Sequence, residues 1–296
     1  MMMKSLKKSI KTLFVFVHTI YSALYIAYHV MKDAVNGKKN KKTKNILCEE
    51  VIIMGNGPSL NNINFKKINR RKYKMCCVNY YPVKSKMFYY LRPEYLCLID
   101  PGFFKYTIEA EKQDFADLIS ALRMVDWPLT IIAPKWEKLP VKNPHIKYYW
   151  VNTYELSSNI NKRFAYWLYN HNFANPGMQN VTLGALYFFI MNRCKKIYLA
   201  GVDLSDFKFL NVDENNRVYV DSNHSYGVTR YYYDEMKENG VSGFCEILGA
   251  YQKMFTDYRL AGKYAEYVGV RIANLSLQSY VDNFKKLSPE ILYGKK

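Results

Sequence analysis

The sequence predicts an α/β fold: a doubly wound, mainly parallel, Rossmann-like sheet with a lid segment and a lysine-flanked helix ahead of it. Three observations carry that expectation. Short apolar runs alternate with stretches of helical spacing from residue 45 onward, the pattern of parallel strands joined by crossover helices. The first run closes in a glycine turn, Gly55-Asn56-Gly57-Pro58-Ser59, as at the opening of a doubly wound sheet. Before it lies an uncharged run from Leu13 to Met31 with lysines on both sides.

Taken in order, that first run follows Lys4, Lys7, Lys8 and Lys11 and precedes Lys32 and the basic stretch Lys38 to Lys44. As a helix it would reach about 28 Å, just enough for a bilayer core. His18, Ser22, Tyr25 and His29 recur on one side, with Leu13, Phe14, Val17, Ile20, Leu24 and Met31 on or near the other. A two-sided helix with lysines at both ends fits one lying in the membrane interface against anionic head groups. The rival reading is an amphipathic helix docked on its own domain. No small-residue cleavage site follows, against a signal peptide. Residues 1–44 are therefore expected to be a membrane-associated helix and basic linker (GKKNKKTK, 37–44), and residues 45–296 the functional domain.

Within that domain the strand candidates are Glu50–Met54, Met75–Asn79, Tyr95–Asp100, Leu129–Ala133, Lys147–Val151, Lys196–Asp203 and Val270–Leu275. Thr182–Asn192 and Ala250–Val268 have helical spacing. The stretch between Leu204 and Tyr226 is polar and aromatic, which predicts either a disordered insert or a lid over a site.

Composition bounds the function. The chain has 296 residues, 49% hydrophobic and 16% aromatic, which excludes a disordered protein. Its net charge is +18 and residues 51–296 hold +11 of it, suiting an anionic partner such as a nucleotide phosphate or membrane face. No zinc-finger, RRM or zipper pattern is present, so nucleic acid is not an expected partner. The six cysteines form no CxxC pair and mostly sit in apolar runs, so reduced buried thiols are expected. No His, Cys or carboxylate cluster has ligand spacing, and no metal site is predicted.

The glycine turn would let backbone approach a phosphate or ribose, with Pro58 and Ser59 starting a helix. It lacks the third glycine of a dinucleotide fingerprint and the Gly-Lys-Ser/Thr of a P-loop, and a merely tight strand-to-helix turn is the competing reading. His224, in the polar aromatic segment, could take a proton from an acceptor hydroxyl or be a solvated loop residue. His145 and His171 read as surface or structural. Asp100 and Asp203 end strands, where they could meet a ribose or cap the next turn. The Tyr231-Tyr232-Tyr233 run reads as packing rather than a carbohydrate platform.

Together these patches resemble glycosyltransferase family 42, bacterial sialyltransferases that use CMP-activated sugars, over roughly residues 49–284. Val51-Ile-Ile-Met-Gly-Asn-Gly-Pro-Ser-Leu60 is similar to the family's first strand and nucleotide loop. Cys77-Val-Asn79, Thr182-x-Gly184 with Ile197-Tyr-Leu-Ala-Gly-Val-Asp203, Asp221-Ser-Asn-His224 and Ala273-Asn-Leu-Ser276 resemble later patches in the same order. The resemblance implies a variant GT-A fold and inverting, metal-independent transfer, with the CMP-sugar as donor substrate and no separate cofactor. It implies a donor site of Gly55, Asn56, Gly57, Ser59, Asn79, Asp100, Thr182, Gly184 and Asp203, with His224 as base. Tyr219 or Tyr226 would stabilise charge on the leaving phosphate. Leu183 stands where the family has a Ser on the donor carboxylate, and Asp100 where it has an Asn; both weaken sialic acid as the particular sugar.

The expected function is transfer of a sugar (sialic acid or related) to a cell-surface glycan or lipid-linked acceptor at the cytoplasmic face of a bacterial inner membrane. The family's habit of assembling as tetramers implies a homo-oligomer. The same GNGPSL start and GVD strand also resemble the MptE-like and motility accessory proteins, which implies a magnesium-dependent diphosphokinase with Asp100 and Asp203 as ligands, or a flagellar glycosylation factor. A third reading is a non-catalytic partner in a polysaccharide assembly complex.

Overall fold

The computed structural model describes residues 2–36, 38, 49–105, 112–156, 159–233 and 243–293. The predicted basic linker, apart from Lys38, and Cys48 lie outside the described residues.

Helix α1 (Met2–Val35) opens the chain. The body then runs β1 (Glu50–Met54), β2 (Lys74–Val78), the short helices α2 (Tyr81–Lys84) and α3 (Met87–Leu91), β3 (Tyr95–Cys97), α4 (Gly102–Lys105) and α5 (Lys112–Arg123). It continues through β4 (Leu129–Pro134), β5 (Ile146–Val151), α6 (Lys162–Asn170), α7 (Val181–Met191) and β6 (Lys196–Ala200). Three strands β7 (Leu210–Val212), β8 (Val218–His224) and β9 (Gly227–Tyr232) precede α8 (Phe244–Val268), β10 (Arg271–Asn274) and β11 (Lys285–Lys286).

Eight of these strands form one parallel sheet in the order β11-β10-β6-β1-β2-β3-β4-β5. Strand order reverses at β1: the chain fills one side through β5, then returns to place β6 beside β1. The crevice outside the carboxyl ends at such a reversal is where open α/β sheets bind ligands.

The central strands β1, β2, β3, β4 and β6 are mostly buried and apolar because both faces are covered. Val51 and Ile53 enter the core beneath α6, α7 and α8, while Ile52 and Met54 enter the core beneath α5. Helix α7 crosses the middle of the sheet with ten of its eleven residues buried. A helix that is apolar all round must be enclosed. Gly184 lets it sit down, since a Cβ there would collide with Ile99 Cγ1 beyond β3.

The segment after Leu204 is regular structure rather than a disordered insert. It forms a 3-10 turn (Asp206–Phe209) and a three-stranded antiparallel sheet β7-β8-β9, reaching Tyr232 rather than ending near Tyr226. Alternation on β8 explains it: Val218, Val220 and Ser222 are buried on one face, while Tyr219 and Asp221 lie on the other.

Helix α1 docks on the body by its polar side. Ser22 and Ile26 are buried, Asn161 N–H donates to Thr19 Oγ1 at 2.9 Å, and His29 packs its ring 4.2 Å from that of Tyr154. Lys135 Nζ lies 2.6 Å from Asp33 Oδ2, an ion pair outside hydrogen-bonding geometry in a largely buried contact. The apolar side faces outward, with Phe16 61% and Leu24 67% exposed. The helix is docked, as the second reading of this segment expects, and it also leaves a long apolar face uncovered. Cys76, Cys77, Cys97 and Cys194 are buried thiols outside any disulfide, whereas Cys245 is exposed, contrary to the expectation for its kind.

Candidate functional site

At the reversal point β1 and β6 end side by side, and the glycine turn is shaped by that closeness. Gly55 N–H donates to Ala200 O and Gly57 N–H to Gly201 O, each at 2.8 Å. A Cβ on Gly55 would meet Gly201 O, and one on Gly57 would collide with Asp203 Oδ2. Ser59 N–H donates to Asp203 Oδ2 at 3.0 Å, and its hydroxyl bonds Ser276 Oγ at 2.6 Å. The amides of Gly55, Gly57 and Ser59 are thus spent within the protein rather than offered to a phosphate. The helix that follows is a five-residue 3-10 turn, Pro58–Asn62, so the anion-favouring helix end expected there lies elsewhere.

It lies at α7. Asn180 caps that helix, its Oδ1 accepting Leu183 N–H and the Thr182 hydroxyl, both at 2.9 Å. Thr182 Oγ1 also lies 2.6 Å from Tyr258 OH, which fixes its rotamer. Val181 and Thr182, the first turn of α7, line a cleft of about 170 Å³ together with the glycine turn. The positive end of an eleven-residue helix here favours negative charge.

The same cleft is lined by Asn56, Asn79, Gly201 to Asp206, Asn223 and His224. Two of these side chains carry buried oxygens without a hydrogen-bond partner, Asn56 Oδ1 and Asn79 Oδ1. An unsatisfied buried acceptor costs about 1–3 kcal/mol, which a ligand's amine or hydroxyl donors would recover. Asn79 adopts φ 50° and Leu204 φ 48°. Left-handed backbone at non-glycine positions is strained and gathers at functional sites.

His224 closes the cleft from the antiparallel sheet. The two-residue turn Ser225-Tyr226 between β8 and β9 is pinned to the glycine turn: Ser225 N–H donates to Asn56 O at 2.7 Å, and Asn61 Nδ2 donates to Ser225 O at 2.9 Å. The imidazole stacks on Tyr226, ring centroids 4.9 Å apart, and its Nε2 lies 3.1 Å from Ser222 Oγ. Burial pushes the His224 pKa below its ordinary value, and the nearby Asp206 carboxylate opposes that push. Burial raises the Asp206 carboxyl in turn, against His224, the Asn223 N–H and the Ser222 hydroxyl. A His kept neutral beside an anion-favouring helix end can accept a proton from a hydroxyl.

Of the residues singled out in the sequence, Gly55, Asn56, Gly57, Asn79, Thr182, Asp203 and His224 meet in this cleft, and Ser59 stands directly behind it. Four do not line it. Asp100 is exposed and caps its own turn, accepting Gly102 N–H at 2.8 Å, so it is not brought to Asp203 as a paired ligand. Gly184 acts in helix packing. Tyr219 lies on the outer face of β8, against Tyr232 and beneath the Arg230 guanidinium at 4.3 Å, and does not line the cleft. Tyr226 supports His224 rather than lining the cleft. Leu183 is 1% exposed, within the core. Tyr232 and Tyr233 pack as expected, against Arg217 and Tyr251.

Sequence reasoning missed Asn180, Asp206, Ser222 and Asn223. Ser222 could have been found from strand alternation, which places it on one side of β8 with Val220, two residues before His224. Among the described residues no group of three or more His, Cys, Asp or Glu is arranged to hold a metal ion.

No protein-family model matches the chain, and no curated protein does. Among solved structures the chain is similar to the monofunctional α-2,3-sialyltransferase Cst-I from Campylobacter jejuni, 17% identical, covering 87% of this chain and 86% of that one at a TM-score of 0.43. It is also similar to the sialyltransferase CstII from Campylobacter jejuni, solved with the substrate analogue CMP-3FNeuAc (14% identity, 84% and 89% covered, TM-score 0.38). The same enzyme with cytidine-5'-monophosphate gives 15% identity, 84% and 88% covered, and a TM-score of 0.40.

Proposed function

We propose that this protein is a glycosyltransferase that moves a sugar from a CMP-activated donor to a glycan or lipid-linked acceptor, working at the cytoplasmic face of a bacterial inner membrane. One observation carries the reading: the glycine turn, Asn79, the N-terminus of α7 and His224, spread over some 170 residues of sequence, converge on one cleft at the sheet's reversal point. The turn, Asn79 and His224 are also residues on which the sequence resembles family 42.

In this reading the nucleotide satisfies the orphaned oxygens of Asn56 and Asn79 with its amine or hydroxyl donors. Its phosphate rests at the first turn of α7. His224 takes the proton from the acceptor hydroxyl as that oxygen attacks the anomeric carbon. The bond to the phosphate oxygen breaks on the opposite face and CMP leaves, inverting the anomeric centre. A nucleoside monophosphate leaves as a stable anion, so the reaction asks for no metal ion, and the α7 dipole stabilises the developing charge. Tyr226 and Tyr219 take no part in that stabilisation here; Tyr226 holds the imidazole. The membrane reading rests on α1, whose apolar side is exposed between lysine-bearing ends.

The test is a thermal-shift screen of the full chain against CMP, CDP, UDP, GDP, ATP and pterins, with and without magnesium. A ligand at a hundred times its dissociation constant adds about 2.7 kcal/mol to the folded state. A metal-independent shift with CMP is expected. His224→Ala should keep that shift and lose transfer. A shift seen only with ATP and magnesium would replace this reading with the diphosphokinase.

A further inference from the structure

We infer that α1 lays this protein on the bilayer with the carboxyl end of the large sheet turned toward the lipid, so that the cleft takes its acceptor from the head-group layer. The inference rests on the membrane reading of α1 and adds an orientation to it. It follows from two stripes of that helix and from the place where it docks.

From Leu6 through Ile10, Leu13, Val17 and Leu24 to Met31, apolar residues recur at whole helical turns, each more than half exposed. The stripe is about 38 Å long. Phe14 and Phe16, both exposed, stand on its two flanks about 160° apart. The seam of a coiled coil is narrower than that, so the breadth suits lipid. The opposite stripe runs from the exposed Lys7 and Lys11 to Ser22, His29 and Asp33. Beyond Lys11 it is the docking stripe, with Ser22 buried, His29 on Tyr154 and Asp33 beside Lys135. Lysines and body thus share one side of the helix, and the apolar stripe keeps the other along its whole length. Ser9–Val35 is long and apolar enough to cross a membrane, but its second half is held against the body. A helix lying flat satisfies both stripes.

The docking contacts fix which end of the body faces the lipid. Lys135 directly follows β4, Tyr154 comes shortly after β5, and Asn161 caps the start of α6. All three stand at the carboxyl end of the sheet, the end that holds the cleft. There β4 lies three strands from β1, about 14 Å away. At the same end the β8–β9 hairpin shows Tyr226 39% and Val228 66% exposed. Beside it opens a groove of about 600 Å³ lined by Ser225, Tyr226, Lys66 and Lys86. Both lysines are exposed and make no ion pair among the described residues, so their charge is open to anionic head groups.

The experiment places one bimane label at a time on the full chain, with Cys48 and Cys245 replaced by Ser. Vesicles of phosphatidylcholine and phosphatidylglycerol carry a nitroxide either on the acyl chain or on the head group. Labels at Leu13→Cys and Leu24→Cys should both lose fluorescence to the acyl-chain nitroxide, and one at Lys11→Cys should keep it. On the body, Pro101 just beyond β3 and Met124 ahead of β4 are both exposed. A label at Pro101→Cys should be quenched by the head-group nitroxide, and one at Met124→Cys should not. Strand β4 alone separates the two ends by about 20 Å, more than contact quenching bridges. Should Leu24→Cys fail to fold, Met31→Cys on the same stripe takes its place. Quenching absent at Leu24 or Pro101, or present at Met124 or from the acyl chain at Lys11, would overturn the orientation and leave the membrane reading standing. A full chain that neither sediments with the vesicles nor loses fluorescence would remove the membrane reading, and the orientation with it. Labels on α1 shielded without vesicles, together with a dimer in sedimentation velocity, would assign the stripe to a second copy and overturn the inference as well.

Discussion

At Asn79 the backbone turns left-handed immediately after β2, and the side-chain oxygen is buried without a partner. Both features cost free energy, and each can be separated from the other. Asn79→Gly keeps the turn, because glycine takes positive φ freely, and deletes the oxygen. Its melting temperature should stay near that of the wild type, while CMP affinity measured by calorimetry falls about tenfold, the worth of one hydrogen bond. His224 and Asp206 act on stability with opposite signs. The His224 pKa is lowered from 6.5, so its contribution is complete above that value and is lost as pH falls through the folded pKa. The Asp206 carboxyl is raised from 3.8, so its ionisation opposes folding as pH rises from 3.8 through the folded value. Melting curves between pH 5 and 7 should therefore show His224→Gln losing less stability than the wild type on acidification below about pH 6.5.

At the scale of elements, α7 does two jobs: it fills the middle of the core and turns its first residues to the cleft. Gly184→Ala, which drives a methyl into Ile99, should destabilise the protein by about 1–3 kcal/mol by overpacking, read as a lower midpoint in urea. The main strands could be read from sequence because each is an unbroken apolar run between turn residues, and the parallel sheet enforces that pattern on both faces. The glycine turn was legible by type but not by purpose. Only the spacing of β1 and β6 shows that Gly57 makes room for Asp203 and that the anion-favouring helix is α7. The antiparallel sheet was hidden because its strands alternate polar and apolar residues in a short segment rich in Asn, Asp and Tyr. Asp206 was invisible for another reason: Asn223 and His224, with which it shares the cleft, are remote in sequence, and nothing local to any of them marks the grouping.

For the whole molecule, the charge and the apolar face of α1 belong to one argument. The helix spends its polar stripe on Asn161, Tyr154 and Lys135 and shows its greasy side to the outside, the reverse of what a soluble docked helix does. The double variant Phe16→Glu/Leu24→Glu in the full chain should abolish sedimentation with anionic vesicles and leave the melting temperature unchanged, since both residues are exposed. Because the wild-type lysines contribute by screened attraction, its own vesicle binding should weaken as salt rises. The excursion from Asp206 to Tyr232 has a different consequence. It leaves after β6, adds no strand to the large sheet, and touches the glycine turn through the backbone at Ser225. Backbone contact demands little of either side chain, so the excursion behaves like a cartridge seated in a holder. Descendants of this chain could exchange it, and with it His224 and its surroundings, while inheriting the glycine turn and the first turn of α7 intact.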